Sequence, residues 1–83
     1  MKTFIEVCAG CGGLSTGFMN AGFKPLLINE LEKVFCEILR KNHDGENIVE
    51  GSMLDLDLTE YKGKVDILHL FSFKTPILYE NTL

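Results

Sequence analysis

The stretch that decides the fold is the run Thr3-Phe4-Ile5-Glu6-Val7-Cys8-Ala9-Gly10-Cys11-Gly12-Gly13. Its first six residues are rich in aromatic and β-branched types, which favour a buried strand. The glycines that follow mark a sharp turn. Apolar residues then recur at helical spacing from Leu14 to Ala21, and Gly22 is typical of a residue that ends a helix. The run therefore predicts a strand, a glycine-rich loop and a helix.

The segments that follow repeat this alternation of strand and helix. Residues 24–30 form a second apolar run of strand length, and residues 31–39 carry apolar side chains at helical spacing: Leu31, Val34, Phe35, Ile38 and Leu39. Residues 47–50 and 65–70 predict a third and a fourth strand. The order β-α-β-α-β-β predicts an α/β fold, a Rossmann-like, doubly wound parallel sheet of about four strands in which strand four lies beside strand one.

Composition limits the class of protein. The chain has 83 residues, a net charge of −4, 46% hydrophobic and 24% charged residues, which indicates one ordinary globular domain rather than a disordered chain. A negative charge disfavours unaided binding to a nucleic-acid backbone, so we expect no independent DNA binding.

No stretch approaches the roughly 20 apolar residues needed to cross a bilayer, and Glu6 interrupts the first apolar run too early for a secretory signal. We therefore expect no membrane association. The cysteines are odd in number, Cys8, Cys11 and Cys36, which favours reduced thiols and a cytoplasmic location.

The loops after the strands are the candidate site, because ligands of doubly wound sheets bind beyond the carboxyl ends of the strands. The glycine loop from Gly10 lets the backbone approach a ligand and presents N–H groups to an anion or carboxylate. Glu30 follows Gly10 by 20 positions, where a carboxylate can bind the ribose hydroxyls of an adenosine-containing ligand. The full dinucleotide fingerprint is absent, because Ser15 stands where its third glycine would be.

Two other readings of the cysteines are disfavoured. Cys8 and Cys11 have the spacing of a redox pair or of half a zinc site, but Gly12 and Gly13 would delay the helix that such a redox pair requires. A metal site would have to recruit Cys36, His43 or His69 at irregular spacing, so we expect no metal. The two histidines are interpreted as a helix-end residue and a strand-end residue.

Residues Ile5-Glu6-Val7-Cys8-Ala9-Gly10-Cys11-Gly12-Gly13-Leu14-Ser15-Thr16-Gly17-Phe18 and Asn20-Ala21-Gly22-Phe23 resemble the opening motif of DNA (cytosine-5) methyltransferases. Asn29-Glu30, Asn42-His43, Gly51-Ser52-Met53 and Val65-Asp66-Ile67-Leu68 continue the resemblance. It covers residues 3–69, and its first motif is long and specific.

The resemblance implies a site for S-adenosylmethionine. The residues that would hold the amino-acid end of this cofactor are Cys8, Ala9, Gly10, Cys11, Gly12, Gly13 and Leu14. Glu30 would bind the ribose hydroxyls, Leu31 and Met53 would contact the adenine, and Ser52 would be a weak acceptor for its amino group. The family usually has Asp, Phe and Asp where this chain has Glu6, Cys8 and Ser52, which predicts weakened affinity.

The family also carries a proline-cysteine pair after the fourth strand, and its thiolate attacks carbon 6 of a flipped-out cytosine. Here Leu70-Phe71-Ser72 follow His69, and no cysteine follows Cys36. We therefore expect no catalytic residue and no activity from this chain alone. The expected organisation is a partial cofactor-binding domain over 1–70 and an unassigned tail over 71–83, from a truncated, frame-shifted or split enzyme. The alternative is a non-enzymatic Rossmann-type module that binds adenosine or a nucleotide.

The edge of strand four is the expected interaction surface. Val65 to Leu70 form an apolar, weakly charged run without proline, and an unpaired edge of this kind invites pairing with another chain. The partner would be a complementing methyltransferase polypeptide or a second copy of the chain. The alternative is that the tail from Phe71 folds back over this edge.

Overall fold

The computed structural model describes residues 2–10, 12–43, 47–70 and 77–80. Their strands are β1 (Thr3–Val7), β2 (Lys24–Glu30), β3 (Ile48–Glu50), β4 (Ile67–Leu70) and β5 (Ile77–Glu80). The helices are α1 (Gly13–Asn20) and α2 (Lys33–Asn42), and two short 3-10 helices, Met53–Asp55 and Thr59–Tyr61, lie between β3 and β4. The predicted α/β class is confirmed.

The strands form one sheet in the order β3-β2-β1-β4-β5. β2 and β4 each pair in parallel with β1, and β3 pairs in parallel with β2. The prediction that strand four lies beside strand one is therefore confirmed. The chain winds outward from β1 to β3 and then returns to the other side of β1, so the carboxyl ends of β1 and β4 flank the point where ligands of such sheets bind.

The tail supplies a fifth strand over the edge of strand four, which agrees with the alternative expectation that the tail folds back over this edge. β5 pairs antiparallel with β4, with Ile67 opposite Glu80 and Leu70 opposite Ile77. The expectation of an unpaired edge on strand four is wrong for this reason: β5 satisfies the backbone groups that would otherwise be free along β4. Residues 71–76 and 81–83 of the unassigned tail lie outside the described residues.

Alternating residues of β1 pack into the two halves of the core, one on each face of the sheet. Phe4 packs on the helix side of the sheet with Ile28 and Leu39, and its ring lies 4.9 Å from that of Phe18 on α1. Ile5 packs on the opposite side. This period of two is what a strand buried on both faces requires.

The second face of the sheet is covered by the segment between β3 and β4. Its core residues are Ile5, Val7, Leu27 and Val65, against which Leu56, Leu58 and Tyr61 pack. Both described helices pack on the other face. The irregular segment therefore takes the place of a helix on this side.

α2 packs on the sheet through one part of its predicted apolar face, the part that carries Leu39 and Cys36. Cys36 and Leu39 are fully buried, whereas Val34, Phe35 and Ile38 are exposed. The small Cys36 side chain allows close approach, and its thiol donates to the Glu30 carbonyl at 3.2 Å. At eight and ten residues, neither described helix is long enough to cross a membrane.

Gly12 is required by the packing of α1 against α2. A β-carbon at this position would lie 2.6 Å from Leu39 Cδ2 and 3.1 Å from His43 Nε2, and the backbone φ is +95°. Leu39 is fully buried and has little room to move away. Both the space and the backbone conformation therefore exclude a side chain.

Substituting Gly12→Ala should lower the free energy of unfolding by roughly 1–3 kcal/mol, from strain at positive φ and overpacking. Gly13→Ala is the matched control, because its φ is not positive and a β-carbon there meets nothing within 4 Å. Urea unfolding followed by circular dichroism measures both. Equal loss in the two variants would contradict this account of Gly12.

Candidate functional site

The loop after β1 turns through left-handed backbone conformations. Cys8, Gly10 and Gly12 have φ values of +58°, +65° and +95°. Cys8 is the one non-glycine residue with positive φ among the described residues, a conformation that costs free energy and persists only when surrounding contacts impose it. Those contacts come from the end of β2.

Three successive amides of this loop donate to β2. Cys8 N–H donates to Asn29 Oδ1 at 3.3 Å, and Ala9 N–H donates to the Asn29 carbonyl at 2.8 Å. Gly10 N–H donates to Glu30 Oε1 at 2.8 Å. The conformation of the glycine loop is therefore set by two adjacent residues at the carboxyl end of β2.

The Glu30 carboxylate is the centre of this edge of the sheet. Its side chain is mostly buried, and its two oxygens accept different amides: Oε1 that of Gly10, and Oε2 that of Glu32 at 2.8 Å. The Glu30 backbone carbonyl accepts the Gly51 N–H at 3.0 Å. One residue thus connects the loop after β1, the start of α2 and the turn after β3.

The turn after β3 is held in the same way. Asn29 Nδ2 donates to the carbonyls of Val49 and Gly51 at 3.2 and 3.0 Å. Ser52 then begins the first 3-10 helix, and its hydroxyl accepts the Leu54 N–H at 3.1 Å. This turn carries Met53 to the loop after β1, where Met53 Sδ lies 3.6 Å from Cys8 Sγ.

The structure brings together several of the site residues predicted from the sequence. Cys8, Ala9 and Gly10 lie against Asn29 and Glu30, and Met53 contacts Cys8. Leu14 on α1, Leu31 after β2, and Met53 all expose apolar side chains. Gly13 is the first residue of α1, and Ser52 is half-buried. Cys11 lies outside the described residues.

The glycines of the loop differ in their surroundings. A β-carbon on Gly10 would meet nothing within 4 Å, whereas one on Gly12 would meet buried side chains of α2. The open space at Gly10 lies beside a Glu30 oxygen. A ligand can therefore approach the backbone at Gly10, while Gly12 serves packing.

A buried acid-imidazole pair beneath the loop was not predicted. Glu6 on β1 and His69 on β4 are register partners, and His69 Nδ1 lies 3.4 Å from Glu6 Oε2. Both side chains are almost fully buried. A charged residue inside an otherwise apolar strand was the signal that could have identified this pair, but the sequence did not show which residue faces Glu6.

Burial sets the protonation of this pair. It raises the pKa of Glu6 to about 7, and it lowers the pKa of His69. Among the described residues no hydrogen bond reaches either Glu6 oxygen. Both shifts favour the uncharged forms, as desolvation requires.

Comparisons with known proteins agree on one family. The family model for C-5 cytosine-specific DNA methylases matches residues 2–71. The chain is 42% identical over 66 residues both to the type II methyltransferase M.Eco47II of Escherichia coli and to M.PspPI of Psychrobacter sp. (strain TA137). Each alignment covers 80% of this chain and 16% of the relative.

A third relative aligns over nearly the whole chain. The putative type II methyltransferase M.MjaORF1200P of Methanocaldococcus jannaschii is 35% identical over 81 residues, which is 98% of this chain and 21% of that protein. The similarity therefore extends past Leu70 into the tail. The chain spans about one sixth to one fifth of the length of these curated relatives.

The Glu6 pKa makes the stability of the fold depend on pH. In the unfolded chain Glu6 titrates near 4.5, and in the folded chain near 7. Its stabilising contribution is therefore complete below pH 4.5 and is lost as the pH rises to about 7. His69 acts in the opposite sense. Because its pKa is lowered in the folded chain, its contribution to the stability of the fold is complete above pH 6.5 and is lost at lower pH.

Relative to Glu6→Gln, the unsubstituted chain should lose roughly 2–3 kcal/mol of unfolding free energy between pH 4.5 and 7, because only its Glu6 ionises in a buried site. Urea unfolding at a series of pH values measures this difference. Glu37→Gln on the exposed side of α2 is the control. If the free energy of unfolding changed with pH in the same way in the unsubstituted and Glu6→Gln chains, ionisation of Glu6 would not destabilise the fold and the prediction would be wrong.

Proposed function

Because the chain belongs to the family of C-5 cytosine-specific DNA methylases, we propose that its loop edge binds S-adenosylmethionine as the cofactor-binding part of a DNA cytosine methyltransferase. The observation that carries the proposal is the Glu30 carboxylate, which is fixed at the end of β2 beside the open backbone of Gly10. This is where a ligand of a doubly wound sheet binds.

The hydrogen-bonding capacity of Glu30 fits a ribose. Each of its oxygens accepts one backbone N–H in the structure, and an ionised carboxylate offers about four acceptor positions. Acceptor positions therefore remain for the two adjacent hydroxyls of a ribose. Because both oxygens are already held, the carboxylate does not have to be ordered when the ligand binds.

The surroundings of Glu30 fit the two ends of the cofactor. The glycine loop leads into the N-terminus of α1 at Gly13, where N–H groups favour the carboxylate of an amino acid. Leu31, directly after Glu30, and Met53 expose apolar side chains that offer contacts for an adenine ring. Cys8, where the family usually has Phe, offers a smaller contact surface.

S-adenosylmethionine supplies an electrophilic methyl group when it is bound. The described residues of this chain bind and orient that cofactor, but their thiols are poor nucleophiles. Burial, reinforced by Glu30, raises the pKa of Cys8. Burial also raises the pKa of Cys36, whose thiol is directed to the Glu30 carbonyl. A thiolate is the reactive form of cysteine, so neither is suited to attack cytosine.

We infer that the methyl-transfer step depends on a nucleophile outside the described residues, which a complementing methyltransferase polypeptide would provide together with the DNA-binding surface. The net charge of −4 supports this division, since it gives the chain little attraction for DNA. β5 pairs along the β4 edge on which we expected such a polypeptide to dock.

The chain alone should transfer no methyl group from radiolabelled S-adenosylmethionine to DNA of mixed sequence, because the covalent adduct at cytosine carbon 6 cannot form. A boiled sample sets the background, and a full-length family member sets the positive signal. Transfer above background by the purified chain would refute the proposed division of labour.

Substituting Glu30→Ala should weaken binding of S-adenosylhomocysteine by roughly 1–3 kcal/mol, through loss of charge-assisted bonds to the ribose and of the Gly10 contact. Glu32→Ala is the matched control: it is a neighbouring exposed carboxylate whose side chain caps no amide. Isothermal titration calorimetry measures both. Equal affinities of the two variants for S-adenosylhomocysteine would show that Glu30 does not bind the ligand. If the unsubstituted chain bound adenosine as tightly as S-adenosylhomocysteine, the alternative of a general adenosine-binding module would be favoured.

A further inference from the structure

We propose that Asn29 is a positioning residue that fixes the separation of the glycine loop after β1 and the turn after β3, and so couples the two halves of the cofactor site. The identity of the ligand rests on the proposed function. The mechanical role of Asn29 rests on the hydrogen bonds of the structure alone.

The Asn29 side chain bridges the two neighbours of β2. Its Oδ1 accepts the Cys8 N–H, and its Nδ2 donates to the carbonyls of Val49 and Gly51. The residue is 1% exposed, so these bonds are made away from water, where an unpaired polar group is costly. Both polar atoms of this side chain are thus hydrogen-bonded, one to the loop after β1 and the other to the end of β3 and the turn that follows it.

The two segments that Asn29 holds have backbone conformations that need support. Cys8 has φ +58° and Gly51 has φ +141°. Both residues lie beyond the regular pairing of their strands, since β1 ends at Val7 and β3 ends at Glu50. Side-chain hydrogen bonds from β2 therefore replace the strand pairing that stops there.

The affinity of a cofactor that spans the site would depend on this separation. The loop that begins at Cys8 would meet the amino-acid end, and Met53, two residues after Gly51, would meet the adenine. Cys8 Sγ and Met53 Sδ are 3.6 Å apart, so the two segments meet directly beside Asn29. A ligand that contacts both segments requires their fixed separation, whereas adenosine lacks the amino-acid end and requires it less.

The test compares S-adenosylhomocysteine with adenosine on the full chain by calorimetry. Asn29→Ala should weaken S-adenosylhomocysteine binding about tenfold and adenosine binding by less than about twofold. A purely structural loss would reduce the folded fraction and weaken both ligands by the same factor. Equal factors would therefore overturn the proposal.

Asn47→Ala is the matched control. Asn47 Nδ2 donates to the Leu26 carbonyl at 3.4 Å, so it also joins β3 to β2, but at the opposite end of β3. This variant should leave the ratio of the two affinities unchanged. A change in the ratio as large as that for Asn29→Ala would also overturn the proposal.

Asn29→Asp provides a second variant of nearly the same size. It keeps an acceptor for Cys8 N–H but removes the donor to Val49 and Gly51. It should therefore lower the ratio of the S-adenosylhomocysteine affinity to the adenosine affinity, as Asn29→Ala does. An unchanged ratio in a folded Asn29→Asp chain would overturn the coupling.

Amide hydrogen exchange in the absence of ligand separates this proposal from the proposed function. In both Asn29 variants, exchange should accelerate at Gly10 and Gly51, whose N–H groups donate to Glu30 and not to Asn29. Exchange at Ile28, whose N–H donates to the Asn47 carbonyl, should stay unchanged. Unaltered exchange at Gly10 and Gly51 would overturn the role of Asn29. Failure of the unsubstituted chain to bind either ligand would refute the proposed function, and the exchange result would still decide the role of Asn29.

Discussion

The carboxyl end of β2 supplies the polar partners that the neighbouring strands lack where they stop. Parallel strands leave unpaired N–H and C=O groups at this end, and buried backbone groups without partners are costly. Asn29 and Glu30 bind amides after β1 and carbonyls or amides after β3. The shape of the candidate site therefore depends on two adjacent side chains, and the glycine loop takes its conformation from them.

A second polar pair lies beneath this edge and has a different physical character. Glu6 and His69 are buried between β1, β4 and the start of α1, with an Nδ1–Oε2 distance of 3.4 Å. Asn29 and Glu30 make several hydrogen bonds each, whereas no hydrogen bond reaches the Glu6 oxygens within the described part of the chain. Burial therefore controls the protonation of Glu6, and the uncharged form is the one compatible with the core.

The parts of the fold that could be predicted are those that depend on local pattern. The alternation around Phe4 and Ile5 marks a buried strand, and the spacing from Gly10 to Glu30 follows from the strand-helix-strand unit. The apolar pattern of α2 includes the buried Leu39, but it does not show which part of the apolar face approaches the sheet, where Cys36 is buried and its thiol donates to the Glu30 carbonyl. The covering of β4 by the tail was only the alternative expectation, because the sequence near Pro76 has no local strand signature and the pairing of β5 with β4 is a long-range contact.

The candidate site shows the same division between local and non-local information. Glu30 could be singled out because it lies at the end of a strand, whereas Asn29 entered the sequence analysis only as part of the family resemblance and with no role of its own. What gives Asn29 its importance is that β2 lies between β1 and β3, so a side chain at its end can reach both. This central position also fixes the candidate site. The Glu30 oxygens and the Asn29 amide are held by the protein's own backbone, so a ligand at this edge would add bonds to side chains that are already ordered.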